Sequence, residues 1–167
     1  MSTFTTRRLQ ARPVTANDLP VFERLWGDER VGRTLGGARG RAQVQEVLSE
    51  AADHWCKWGF GRWLLQAGEE PVGTVKLARC EIAGLPEVEL GYALFPEFWG
   101  AGYATEAASG ALDFGRDAAG LREVVAFALV SNTASFAVMQ RLGFRYELDL
   151  ELPAGPHGLH RLALNSS

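Results

Sequence analysis

The segment Val88-Glu89-Leu90-Gly91-Tyr92-Ala93-Leu94-Phe95-Pro96-Glu97-Phe98-Trp99-Gly100-Ala101-Gly102-Tyr103-Ala104-Thr105-Glu106-Ala107-Ala108 constrains this fold more than any other. Strand-forming residues run to Phe95, a glycine-rich turn follows Trp99, and a helical repeat begins near Ala104. A helix that starts straight after such a turn carries unpaired N–H groups and a partial positive charge at its first turn. Gly100 and Gly102 would let an anion reach the bare backbone there. The stretch predicts a phosphate cradle, with the carboxylate of Glu89 on the strand that leads to it.

The remaining sequence bounds the context of that cradle. At 167 residues the chain is expected to form a single domain, 1–167, large enough to bury a real core. A formal net charge of −3 gives no basic footprint for nucleic acid. No apolar run is long enough to span a bilayer, and residues 1–12 lack the apolar core of a signal peptide, so the expected location is the cytoplasm. Cys56 and Cys80 offer neither a disulfide framework nor a metal spacing, and both are expected as buried packing residues. No histidine has a ligand partner at metal spacing, so no metal site is expected.

Periodicity places the elements. Leu9–Val14 reads as a first strand, and Thr15-Ala16-Asn17-Asp18 as a capping-box-like helix start. Asp28–Gly40 reads as a short helix and a loop rich in Gly and Arg. Val44, Val47, Leu48, Ala51, Ala52 and Trp55 form one apolar stripe on a helix over 41–57. Strands are expected over 62–67 and 72–79, joined by the hairpin signal Gly68-Glu69-Glu70-Pro71. A further strand spans 88–95, and the helix after it presents small residues such as Ala104, Ala107 and Ala111, as close packing on a sheet requires. Val124–Val130 is continuously apolar, as a doubly buried strand would be. A short helix over 135–142 ends at Gly143, and strands over 146–152 and 160–164 close the chain. The order implies an α+β, three-layer α/β/α domain with a mixed sheet of about seven strands and helices on both faces.

Three readings of Trp99–Ala104 compete. A dinucleotide fingerprint would need a third glycine where Thr105 stands, and a Walker loop would need Gly-Lys-Ser/Thr. A turn that merely joins strand to helix is the plain alternative, and the density of glycines before a helix favours the anion site. On the preceding strand, alternation puts Glu87, Glu89, Gly91 and Ala93 on one face and Val88, Leu90, Tyr92 and Leu94 on the other. The first face suits a cleft floor. Glu89 is either a base in that cleft or a salt-bridged strand glutamate, with Glu87 as the reserve.

The residues together resemble the GNAT superfamily of acyl-CoA-dependent N-acetyltransferases, in particular its RimJ/RimL-like branch. The resemblance runs from Thr6-Arg7-Arg8-Leu9-Gln10-Ala11-Arg12-Pro13 through Glu89-Leu90-Gly91-Tyr92 and Trp99-Gly100-Ala101-Gly102-Tyr103-Ala104-Thr105-Glu106-Ala107 to Asn132-Thr133-Ala134-Ser135 and Leu142-Gly143-Phe144. It implies an acyl-CoA N-acyltransferase-like fold whose sheet splays between the strands over 88–95 and 124–130. It implies that backbone amides of Gly100, Ala101, Gly102, Tyr103, Ala104 and Thr105 hold the pyrophosphate of coenzyme A. The pantetheine arm is expected in the splay, bonded near Leu94 and Phe95, with Asn132 and Ser135 facing the cofactor. Trp99 stands where the wider family has Gln or Arg and cannot donate as they would, and Ala101 lacks a basic side chain often found at that place.

The resemblance also assigns proton work. Glu89 matches a general-base position of some members. Many members place a tyrosine acid where this chain has Met139, and the branch offers a serine at the Ser135 position instead. Ser135 could equally cap its helix or hold cofactor. The expected activity is acetyl transfer from acetyl-CoA to a primary amine, a protein N-terminus or a small molecule, by direct attack in a ternary complex. The alternatives are a non-catalytic acyl-CoA-binding module, with Met139 and Trp99 as signs of lost chemistry, and a nicotinamide-dependent oxidoreductase. Arg30, Arg33, Arg39 and Arg41 hint at acidic groups on the acceptor or on the cofactor's ribose phosphate, or form a solvated basic surface. His157 or His160 would line the acceptor site if the Pro153–Gly158 turn overhangs the cleft. A homodimer is compatible with the branch, though the sequence defines no interface.

Overall fold

A computed structural model describes residues 2–165. Eight strands form one sheet: β1 (Phe4–Thr5), β2 (Gln10–Pro13), β3 (Arg62–Ala67), β4 (Glu70–Ile82), β5 (Leu85–Leu94), β6 (Glu123–Leu129), β7 (Arg145–Leu152) and β8 (Gly155–Ala163). Their order across the sheet is β1-β2-β3-β4-β5-β6-β8-β7. Every neighbouring pair is antiparallel except β5 and β6, which run parallel. A parallel pair needs a crossover, and the helix α4 (Tyr103–Asp117) supplies it. The other helices are α1 (Leu19–Gly27), α2 (Glu29–Gly32), α3 (Arg41–Trp58) and α5 (Thr133–Arg141). None of the described helices is long and apolar enough to cross a membrane.

The sheet carries a core on each face. Leu65, Leu77, Leu90 and Leu94 pack with Ala107, Ala108 and Ala111 of α4. Leu64 and Ala93 face the opposite way and pack with Phe22, Leu25 and Trp26 of α1 and Val44 and Leu48 of α3. Period-two alternation along β3 and β5 sorts these residues to their faces. The small residues of α4 let it lie close to β4 and β5. A side-chain carbon added at Gly115 would sit 2.9 Å from Leu77 Cδ1.

Four strands differ from expectation. β4 and β5 run past the apolar segments to a turn at Ala83 and Gly84, both at positive φ (51° and 80°). Residues 80–87 alternate poorly in polarity because this end of the ladder stands in solvent, so periodicity alone did not mark it. The eighth strand is the two-residue β1, too short for any period, pinned by Trp63 Nε1 donating to the Ser2 carbonyl at 2.8 Å. The turn expected over 153–158 is shorter, because Gly155 already begins β8. Cys56 is exposed rather than buried, being off the apolar stripe of α3, and Cys80 is half-buried.

Trp63 is fully buried and meets Phe4, Trp55 and Phe114 edge to face, with centroids 5.1–5.2 Å away. These contacts tie β1, α3 and α4 to the sheet. Trp63→Ala should cost about 3–5 kcal/mol. Urea melts would show a lower midpoint at unchanged slope, whereas an unchanged midpoint would contradict this packing.

Candidate active site

Strands β5 and β6 share one register pair, Glu89 with Val125, and then part. The parting follows from how β5 is held on its other side. The Phe95 amide donates to the Val72 carbonyl at 3.0 Å, so the alternation of an antiparallel ladder turns the main chain of Tyr92 and Leu94 towards β6. The β6 main chain is meanwhile paired with β8 along its whole length. A cavity of about 500 Å³ opens in the gap. Its wall includes Glu89, Gly91, Tyr92, Leu94 and Gly100 from the β5 side, Phe127 and Ala128 from β6, and Asn132, Ser135 and Met139 from α5.

At one mouth lies the glycine turn. Gly100 (φ 75°) and Gly102 (φ 81°) adopt the left-handed region, and nothing lies within 4 Å of where a Gly100 side chain would begin. Gly102 occupies the cap position of α4 without a side-chain cap, so the first amides of that helix stay bare. Arg8 straps the turn from outside. Its guanidinium donates to the Ala101 carbonyl (2.9 Å) and to Glu106 Oε2 (2.6 Å) and lies 4.0 Å over the Tyr103 ring. The Ala101 carbonyl is thereby drawn outward.

Trp99 finds a partner within the chain. Its indole does donate, to the Leu94 carbonyl at 2.9 Å, and so ties the turn to the end of β5. That carbonyl and the Phe95 amide are therefore both engaged within the chain. Phe95 is buried on the α1 face, away from the gap. Of the residues expected at the cofactor, Leu94, Gly100, Asn132 and Ser135 line the cavity, whereas Ala101, Gly102, Tyr103, Ala104 and Thr105 do not; they continue the chain from Gly100 into α4.

Glu89 lies on the cavity wall, and Lys76 Nζ of β4 donates to its Oε2 at 2.8 Å. Both readings of this residue meet here: the glutamate is salt-bridged and it faces the cleft. Gly91 makes the arrangement possible. A side-chain carbon there would come 2.7 Å from Lys76 Cε and 3.4 Å from Glu89 Oε1. The reserve, Glu87, is outside the cavity. Arg161 of β8 holds it through two bonds of 2.7 and 2.9 Å and also binds Glu123 and Glu147.

On the α5 side, Asn132 Oδ1 accepts from the Ser135 amide at 3.2 Å and so caps the helix. The Ser135 hydroxyl is free of capping and hydrogen-bonds the Tyr92 hydroxyl at 2.8 Å. Burial pushes the Tyr92 phenol above its ordinary pKa, and the Ser135 bond partly offsets this. Tyr92 was legible only as a member of the bulky strand face, since its partner is 43 residues away.

The opposite wall is basic. Arg39 and Arg62 place their guanidiniums 4.9 and 5.0 Å from the centroid of Trp26. Arg39 was one of four expected candidates. Of the others, Arg30 pairs with Asp28 and Arg41 with Glu23, both at exposed positions, and Arg33 is exposed. Arg62 gave no sequence signal beyond a charge within a strand. His157 lines the cavity from within β8, not from an overhanging turn, and its Nδ1 lies 2.8 Å from the Gly155 carbonyl. His160 packs between Phe136 and Tyr146.

A mixed sheet that opens at its parallel pair, beside a bare helix end, defines the class of acyl-CoA-dependent N-acetyltransferases. The chain belongs to the GNAT acetyltransferase family: residues 8–145 match its domain, described as Acetyltransferase (GNAT) domain. It is 28% identical over 151 residues to the uncharacterized N-acetyltransferase YoaA of Bacillus subtilis, covering 85% of this chain and 82% of that protein. The acetyltransferase structure from Agrobacterium tumefaciens superposes with a TM-score of 0.85 at 26% identity, over 97% of this chain and 94% of that one. Mycobacterium smegmatis RimJ, determined in complex with CoA-disulfide, superposes with a TM-score of 0.76 at 21% identity, over 93% and 81% of the two chains.

The strap makes a pH prediction. Burial acts to raise the Glu106 pKa, but bonds from Thr6 and Arg8 outweigh it, so the carboxyl lies below its ordinary range. Stability from such a group is present above the unfolded pKa of about 4.3 and is lost as pH falls through the folded value. The difference in melting temperature between wild type and Glu106→Gln should therefore be largest near pH 7 and shrink towards about pH 3. A difference independent of pH would contradict the strap.

Proposed function

We propose that this N-acetyltransferase works by direct attack of a primary amine on acetyl-CoA, both bound at once in the splay. The continuity of the cavity from Gly100 to Glu89 carries this reading. The residues present fit coenzyme A. The bare amides of Gly100–Thr105 suit its diphosphate, and the left-handed glycines keep that approach clear. The Thr105 hydroxyl at the same helix end is buried with no partner among the described residues. The main chain of Tyr92 and the amide of Leu94 suit the amides of the pantetheine arm, and Asn132 and Ser135 stand along its course.

When bound, acetyl-CoA supplies an activated acyl group, so the protein's own work is positioning and proton transfer. An amine with a pKa of about 10.4 must shed a proton to attack. Glu89 receives that proton through water, on the carboxylate edge that Lys76 leaves open. As nitrogen bonds to the carbonyl carbon and the carbon–sulfur bond breaks, charge collects on a thiolate of pKa about 8.5. The Tyr92–Ser135 hydroxyl pair donates a hydrogen bond to that sulfur, taking the place of the tyrosine that Met139 replaces. Ser135 serves at the sulfur and Asn132 as the cap, which divides two roles that the sequence left on Ser135.

The test is thiol release from acetyl-CoA with a panel of amines and N-terminal peptides. Glu89→Gln should lower turnover by at least about tenfold, with coenzyme A affinity by calorimetry little changed. Turnover unchanged across pH would remove Glu89 as the base. Ser135→Ala should lower turnover less than Glu89→Gln does, because Tyr92 remains. The reverse order would place the main barrier at thiolate departure.

A further inference from the structure

The cavity wall on the α1 side holds more positive charge than the chain balances. Arg39, Arg62 and Lys76 line it, and Glu89 is the one carboxylate among its described lining residues. Lys76 already holds Glu89. Among the described residues, neither Arg39 nor Arg62 makes an ion pair. Arg62 has one side-chain hydrogen bond, Nη1 to Thr74 Oγ1 at 3.3 Å, and that hydroxyl itself donates to the Trp63 carbonyl. Both guanidiniums lie over Trp26, which is buried. Burial and the neighbouring Arg39 pull the Arg62 pKa down to about 10, against the pull of Glu89, and burial also lowers that of Arg39. Both remain charged at neutral pH. Both are half-buried, and a half-buried cation without a counter-ion offers a seat to an anionic ligand.

Position separates this anion from the donor's phosphates. Arg39 and Arg62 meet Trp26 of α1, on the α1–α3 face, whereas the glycine turn leads into α4 on the other face. Glu89 shares the sheet face of Arg62: Arg62 stands opposite Lys76, Lys76 opposite Gly91, and Glu89 is two residues from Gly91 on the same strand. We infer that the acceptor is an amine that also carries a carboxylate, which Arg39 and Arg62 bind while Glu89 receives the proton of its amino group. The planar fork of a guanidinium matches a carboxylate with two parallel bonds. A polyamine is excluded by the same charges, since it would bring further cations to a wall that already has two unpaired. The carboxylate belongs either to a free amino acid or to an acidic side chain close behind a peptide's N-terminus. The inference rests on the acetyl-transfer reading above.

Steady-state acetylation of matched pairs tests it. One arm compares free amino acids with their primary amides. The other compares N-terminal peptide amides carrying Asp or Glu at the second residue with those carrying Asn or Gln. In one arm or the other, the carboxylate member should have a kcat/KM at least about tenfold higher, expressed mainly in KM. Arg62→Met should collapse that preference to near unity while coenzyme A binding by calorimetry stays intact, which also shows that the variant folds. Arg39→Met should reduce it in the same direction. Preference in the first arm identifies a free amino acid, and preference in the second an acidic peptide. Acetylation of amides and acids alike would overturn this inference and leave acetyl transfer standing. Intact coenzyme A binding with no amine acetylated would overturn both.

Discussion

Everything at the site depends on two parallel strands that pair once and then separate. β5 is anchored on one side by its long antiparallel ladder with β4, and β6 by its ladder with β8. Each strand is satisfied by its outer neighbour, so the inner edges can part without unfolding either half. Beyond the Glu89–Val125 pair, main-chain groups of β5 are left facing a cavity rather than another strand. Unsatisfied backbone in a cleft is a binding surface for an extended chain with amide groups. The same opening is lined from both faces of the sheet, by Trp26 of α1 and by Ser135 and Met139 of α5, and there the proposed donor and acceptor would meet.

Charge divides the cavity in a way that fits this geometry. The α4 end offers neutral backbone donors and a helix terminus, with Arg8 outside drawing the Ala101 carbonyl away. The middle holds a single ion pair, Lys76 with Glu89, and a pair of hydroxyls, Tyr92 with Ser135. The α1 side holds two guanidiniums over an indole, neither in an ion pair among the described residues. A thiolate and an amine have opposite proton needs, and in the proposed mechanism the hydroxyl pair and Glu89 would meet them separately. Lys76 and Gly91 fix the Glu89 carboxylate by occupying one oxygen and leaving space beside the other.

Much of this was legible in the sequence, for physical reasons. The helix α3 was visible within one residue because its apolar stripe repeats over several turns. The glycine turn and the bare end of α4 were visible because only glycine adopts those backbone angles freely. Glu89 was visible because strand alternation set it among small residues. Other parts rest on contacts far apart in the chain. β1 has two residues and owes its place to Trp63. The hydroxyl partnership of Tyr92 with Ser135 and the donation by Trp99 to Leu94 need the folded chain, since neither residue type announces its partner. Arg62 looked like an ordinary strand charge until α1 was seen to lay Trp26 beneath it.

The central claim is that free main-chain groups of the splay and of the α4 terminus hold the acyl donor. Amide hydrogen exchange with and without coenzyme A measures this most directly. Binding should slow exchange at the amides of Gly100–Thr105 and at those of Tyr92 and Leu94, with the amides of β7 unaffected. Saturating coenzyme A that leaves the 100–105 amides exchanging at their free rate would contradict the account.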